Sequence, residues 1–258
     1  SASLGVALFP GDAQTLQDLS SCAEQASYAA KAAGRSQHRF FDEQMNAQAA
    51  RRLLIESDLR RAIGDGELRL HFQPKVDAAT GKIVGAEALV RWQHWERGLL
   101  PPGEFIPLAE ETGLILPLTD WVMESACHTI RHWLDAGLAG VRISINLAAP
   151  SLSDATLLDK LGYLMQRYAL TPNSLILEVT ETMVMGDVEH SVGMLERLRS
   201  KGYRLSLDDF GTGYSSLSYL KRLTIDELKI DRSFVIECAN GGRDAALASA
   251  IIALGHEL

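Results

Sequence analysis

The chain has 258 residues, 47% of them hydrophobic and 22% charged, which is the profile of globular material and not of a disordered or fibrous chain. Lys plus Arg number 25 against 33 Asp plus Glu, and the net charge of -8 argues against binding to nucleic-acid duplexes or anionic membranes. A small anionic ligand stays compatible with this balance, because a bound metal can reverse the local field.

No apolar run approaches the ~20 residues needed to cross a bilayer. No basic region followed by an apolar stretch opens the chain, so neither a signal peptide nor membrane contact is expected. Cys22, Cys127 and Cys238 are odd in number and far apart, as free thiols in a reducing, cytoplasmic compartment would be. The opening SASLGVALFPGD begins mid-pattern without Met, so the sequence is expected to be an excerpt of something longer.

Residues 3–9 predict a short strand, ended by Pro10-Gly11-Asp12. Residues 15–33 are Ala-rich, with Leu16, Leu19, Ala23, Ala26 and Ala30 at helical spacing and Gly34 at the expected helix end. A further strand is expected at 37–41. This first stretch is too short for a core of its own. Residues 43–64 predict a connecting helix, with Met45, Ala49, Leu53, Ile55, Leu59 and Ile63 roughly on one face and a solvated arginine-rich remainder. The expected division is therefore 1–42, 43–64 and 65–258.

From residue 67 strands and helices alternate. Strands are expected at 68–73, 83–90, 141–146, 175–180, 204–208 and 227–230. Helices are expected at 102–112, 118–136, 153–168, 188–201, 215–221 and 243–258, with Gly113, Gly137 and Gly202 at helix ends. Alternation of this kind implies a parallel sheet with helical crossovers. The strand count favours a β/α barrel over an open doubly wound sheet, and no Gly-rich phosphate loop follows the first strand.

The strand ends carry the chemistry. Glu87 lies on the second strand, Asn146 ends the third, Glu178 lies on the fourth, Asp208-Asp209 end the fifth and Lys229 lies on the sixth. In a β/α barrel these ends meet at one mouth. Carboxylates and an amide oxygen are hard ligands, suited to Mg2+ or Mn2+. Adjacent aspartates suggest two ions sharing a ligand, roughly 3.5–4 Å apart, the arrangement that drives in-line attack on a phosphoryl group. Without cations so many acids would repel one another. The pattern fits metal-dependent phosphoester hydrolysis, with Lys229 orienting or deprotonating water or neutralising phosphate charge.

The segments HFQPKVD (71–77), GAEALVRWQH (85–94), PGEFIPLAEETGLI (102–115), INLA (145–148), LEVTE (177–181), LDDFGTGYSSLSYLKRL (207–223) and ELKIDRSFV (227–235) resemble the EAL-domain family, the cyclic di-GMP phosphodiesterases of bacterial signalling. The resemblance implies a TIM-like barrel and hydrolysis of cyclic di-GMP to linear pGpG with two Mg2+ or Mn2+ ions. It implies metal ligands at Glu87, Asn146, Glu178, Asp208 and Asp209, with Asp208 shared between the ions. Lys229 is implied beside the nucleophilic water. Glu181 is implied to hold the loop Gly211-Thr212-Gly213, and Gln73, Leu89 and Arg91 to contact the dinucleotide, Arg91 on a phosphate. Homodimers are implied by analogy. The segments SLGVALFPGD, YAAKAAGRSQ and HRFFD within 1–42 are similar to the C-terminal tail of a GGDEF (diguanylate cyclase) domain, without its signature loop.

The family continues past the helix that contains Gly255-His256-Glu257-Leu258 with two more strands, a further glutamate and a glutamine. The expectation is a barrel truncated before those strands, inactive and poorly stable if the polypeptide ends there. Leu147-Ala148-Ala149-Pro150 stands where relatives more often carry Ser and a polar residue. A non-catalytic cyclic di-GMP receptor is the alternative, opposed by the intact ligand set. A glycosidase would need a separated pair of acids and not this cluster. His128 and His132 are expected on an exposed helix face, the four tryptophans in packing roles with Trp92 a candidate pocket wall, and Glu110-Glu111 at a solvated helix end.

Overall fold

The computed structural model describes residues 2–34, 36–138, 140–211, 222–236 and 243–257. The chain divides into two compact units, Ser1–Arg61 and Ala62–Leu258.

The first unit contains β1 (Leu4–Val6), α1 (Leu16–Ala32), β2 (His38–Phe40) and most of α2 (Glu43–Asp65). The two strands pair in parallel, Leu4 opposite His38, with α1 as the crossover. Thr15 starts α1 by accepting the Asp18 N–H at 3.1 Å, and Asp42 accepts the Gln44 N–H at 3.0 Å before α2. A Cβ at position 5 would fall onto the Ala23 carbonyl oxygen and the Ser27 amide, so glycine is what lets β1 lie against α1. The division between the units falls inside α2.

The second unit is built on β3 (Leu68–Val76), β4 (Ile83–His94), β5 (Gly98–Leu100), β6 (Arg142–Asn146), β7 (Leu175–Thr180), β8 (Arg204–Phe210) and β9 (Glu227–Ile230). The sheet order is β3-β4-β6-β7-β8-β9, with β5 beside β4. From β4 to β9 all neighbours on this path are parallel, the α/β arrangement expected of a barrel. The expectation of a wholly parallel sheet is corrected at its first pair: β3 runs antiparallel to β4. Only a tight turn joins them, closed by Gly81 N–H to Asp77 O at 2.8 Å, and a parallel connection needs a far longer crossover. The small strand β5 was not foreseen. The buried His94 ring forms its turn, with Nδ1 accepting the amides of Glu96 and Arg97 at 3.1 and 3.3 Å.

Among the described residues its helices are α3 (Ile106–Thr112), α4 (Ile115–Asp135), α5 (Ala149–Leu152), α6 (Leu157–Arg167), α7 (Glu181–Gly186), α8 (Val188–Ser200), α9 (Arg232–Ile236) and α10 (Arg243–Glu257). The helix expected at 153–168 starts four residues late, as α6, because Asp154 turns its carboxylate onto the Thr156 N–H at 2.8 Å, and the short α5 before it was not foreseen. Helix α4 starts earlier than expected, and a 3-10 turn at Pro102–Glu104 precedes α3. Gly113, Gly137 and Gly202 have φ of 76°, 84° and 93° and follow helix ends as expected. The helix expected at 215–221 lies outside the described residues, as does Cys238.

Alternation with period two divides the strand residues. Ile143, Ile145, Leu175, Leu177, Val179, Leu205 and Leu207 face one way and join Met123, Ile130, Leu161, Leu195 and Leu198 of the helices in one buried cluster. Ser144, Asn146, Glu178, Ser206 and Asp208 face the other way. Trp92 is a core residue and not a pocket wall: it is fully buried, its Nε1 donates to Glu67 Oε2 at 2.9 Å, and it packs edge-on against Phe105. His128 and His132 are exposed, and so are Glu110 and Glu111. Cys22 and Cys127 are free and buried, and burial first, then Glu124, pushes the Cys127 thiol up to about 12. Among the described residues no helix is long and apolar enough to cross a membrane.

Candidate functional site

The residues on the second face converge. Register places Asn146 opposite Glu178, Thr180 opposite Asp208, and Glu87 opposite Ser144. One oxygen each from Glu87, Glu178 and Asp208 lie within 4.8 Å of one another. Lys229 of β9 donates to Glu87 Oε2 at 3.0 Å, to Glu178 Oε2 at 2.8 Å and to Asp208 Oδ2. Asn146 Nδ2 donates to Glu87 Oε1 at 2.8 Å. Five parallel strands, β4, β6, β7, β8 and β9, therefore bring to one place five of the residues expected there.

Asp209 is not part of this group. Neighbouring residues on a strand point to opposite faces, so two consecutive aspartates cannot both enter from a regular strand. The β8–β9 register shifts between Leu207 and Phe210, Asp209 has φ of 55°, and its side chain is exposed. Burial, then the charges of Asp208 and Asp231, hold its carboxyl above the usual range. Glu181 also lies apart from the group. It is buried at the start of α7, where Thr180 Oγ1 accepts the Met183 N–H at 3.3 Å, and its Oε2 accepts the Gly211 N–H at 2.9 Å. Thus Glu181 grips the first residue after β8, while Thr212 and Gly213 lie outside the described residues.

Glu87, Leu89 and Arg91 share one face of β4 by period two, and Gln73 of β3 stands opposite Glu87. Leu89 and Asn146 line a cavity of about 270 Å3. Gln73, Lys75, Glu87, Glu227 and Lys229 line a groove of about 520 Å3. Arg91 Nη1 donates to Val90 O at 2.8 Å, and among the described residues its guanidinium meets no carboxylate.

Lys75 was not singled out from the sequence. It donates to Ser144 Oγ at 2.7 Å, to Glu178 Oε1 at 2.8 Å and to Glu227 Oε2 at 3.1 Å. The signal was available: Lys75 is in phase with Gln73 on β3, on the side away from Leu70 and Phe72, which pack on the core. The expected mutual repulsion of the acids is therefore met by two ammonium groups. Burial pushes the Glu178 carboxyl up, but hydrogen bonds from Lys229 and Lys75 and their charges outweigh it and hold it below the usual range. Burial pushes Lys229 down, but Asp208, Glu178 and Glu87 raise it above the ordinary lysine value. Lys75 is raised for the same kind of reason, by Glu178 and Glu227.

The donor set fits a hard cation. Three carboxylates and an amide oxygen are available, and the space between the acids already accommodates a positive group, the Lys229 ammonium.

A family model described as EAL domain matches residues 56–258. The bifunctional diguanylate cyclase/cyclic di-GMP phosphodiesterase MucR of Pseudomonas aeruginosa is 50% identical over 258 residues, covering 100% of this chain and 38% of that protein. The cyclic di-GMP phosphodiesterase NbdA of the same species is 43% identical over 257 residues, covering 100% of this chain and 33% of that protein. A solved structure described as PaMucR phosphodiesterase in complex with c-di-GMP superposes with a TM-score of 0.76 at 50% identity, covering 79% of this chain and 83% of that one. The chain spans well under half the length of the curated relatives it matches.

Proposed function

The chain belongs to the EAL domain family, and from that premise we propose that it is a metal-dependent phosphodiesterase hydrolysing cyclic di-GMP to linear pGpG. The observation that carries this reading is the meeting of Glu87, Glu178 and Asp208 around Lys229 inside the matched region. The relatives MucR and NbdA, both named as cyclic di-GMP phosphodiesterases, support the substrate.

In this reading Glu87, Asn146, Glu178, Asp208 and Asp209 would hold two Mg2+ or Mn2+ ions. When bound, such ions supply positive charge to the scissile phosphate and lower the pKa of a water molecule. The chain's own groups do the rest. Arg91 presents a planar guanidinium to a phosphate, and Gln73 and Leu89 border the nucleotide. Lys229 holds a proton at Nζ toward the attacking water and the phosphate oxygens, where negative charge builds. Glu181 holds Gly211, the first residue after β8, through its amide.

Residues 1–42 are read as the tail of a GGDEF-like domain, 43–64 as a connector and 65–258 as the EAL unit. The match to MucR supports this, since it covers the whole of this chain and that protein's name includes diguanylate cyclase. Cytoplasmic placement and a homodimer paired through the EAL units complete the reading.

Incubation with cyclic di-GMP and Mg2+ or Mn2+, with products resolved by anion-exchange chromatography, is expected to yield pGpG, and EDTA to abolish it. Binding without turnover would select a receptor, and turnover undiminished in EDTA would overturn the metal-dependent reading.

A further inference from the structure

Glu178 is almost completely buried, and its two oxygens have different partners. Oε2 faces Lys229 and the other acids, while Oε1 accepts from Lys75. The Lys75 ammonium has three N–H donors, and the structure gives each an acceptor: Ser144 Oγ on β6, Glu178 Oε1 on β7 and Glu227 Oε2 on β9. Lys75 itself comes from β3, so one ammonium ties four strands together beneath the acidic cluster. With all its donors directed, this ammonium is a fixed point and not a mobile counter-ion.

We propose that Lys75, seated by Ser144 and Glu227, is a positioning residue that locks the Glu178 carboxylate so that Oε2 stays directed at the cation site. The proposal rests on the metal-dependent reading above. Without Lys75 the Glu178 carboxylate is free to turn both oxygens to Lys229, which then competes with a cation for it. Ligating carboxylates are commonly fixed by such outer partners, and losing one costs about 10- to 100-fold in metal affinity or activity.

The sign of the effect separates positioning from a bulk field. Removing a positive charge beside a cation site would by Coulomb attraction alone tighten the cation. Loss of positioning weakens it. Ser144→Ala changes no charge and removes only one acceptor of Lys75, so a field effect predicts no change there.

The test titrates Mn2+ into the full chain by calorimetry and by the loss of free-ion EPR signal, for wild type, Lys75→Met and Ser144→Ala, with steady-state turnover of cyclic di-GMP alongside. Mn2+ affinity is expected to fall about tenfold in Lys75→Met and several-fold in Ser144→Ala, with kcat lowered and KM within about twofold. Lys75→Met binding Mn2+ as tightly as wild type, or more tightly, would overturn the proposal. If Lys75→Met does not fold, Ser144→Ala decides: Mn2+ affinity and kcat equal to wild type sink it. Failure of the wild-type chain itself to bind Mn2+ removes the metal-dependent reading and this proposal with it. That outcome is distinct from loss in the variants alone.

Discussion

Glu87 is held from two sides, by Asn146 and by Lys229, in a position that also meets Glu178 and Asp208. Glu87→Ala is therefore expected to weaken Mn2+ binding and to lower turnover of cyclic di-GMP by at least about 10²-fold with the fold intact, comparable to removing one transition-state donor. Calorimetry with Mn2+ and circular dichroism check both parts, and unchanged turnover would break the assignment. Gly211 offers a second test at this scale. Its φ is 98°, and a Cβ there would lie 2.9 Å from the Phe234 ring, so Gly211→Ala is strained twice over. It is expected to cost about 1–3 kcal/mol in urea unfolding, with a further loss of turnover because Glu181 holds this residue's amide. The acids Glu87, Glu178 and Asp208 were legible in the sequence, because each stands within or at the end of an apolar run that reads as a strand. Lys75 was not, since a lone lysine in a strand reads as solvated unless the opposite wall is known.

Helix α6 shows how a short segment is started and seated. Asp154 accepts from the Thr156 side chain at 2.6 Å and its amide at 2.8 Å, and Lys160 reaches back to the same carboxylate at 3.0 Å. Thr156 first and Lys160 after it hold the Asp154 carboxyl at about 2, against a small opposing burial effect. A carboxyl lowered in the folded state contributes stability above its unfolded pKa, and that contribution is lost as pH falls through the folded value. Asp154→Asn is therefore expected to be less stable than wild type at neutral pH, with the difference shrinking below about pH 4 and gone only below about pH 2. Urea unfolding across that range checks it, and a pH-independent difference would contradict it. On the same helix Leu161 is fully buried in the central cluster. Leu161→Ala is expected to cost about 2–5 kcal/mol by calorimetric or denaturant unfolding. The 3.6-residue period marked this helix in the sequence. Its start at Leu157 instead of Ser153 was hidden, because an aspartate folding back on its own backbone competes with the helix only locally.

For the molecule as a whole, the proposed homodimer predicts a mass that rises with concentration in light scattering. A concentration-independent monomer would remove that part of the reading. The alternation of apolar strands and amphipathic helices determined the α/β class, since period and turn residues act within a few positions of one another. The matching segments from HFQPKVD (71–77) to ELKIDRSFV (227–235) carried the resemblance to the family. The antiparallel entry of β3, the displacement of Asp209 from the acid group and the grip of Lys75 on Glu178 were decided only when the strands came together. Register and facing depend on partners more than a hundred residues away, as with Lys75 and Glu178. No local pattern specifies which oxygen of a carboxylate an ammonium from another strand will take.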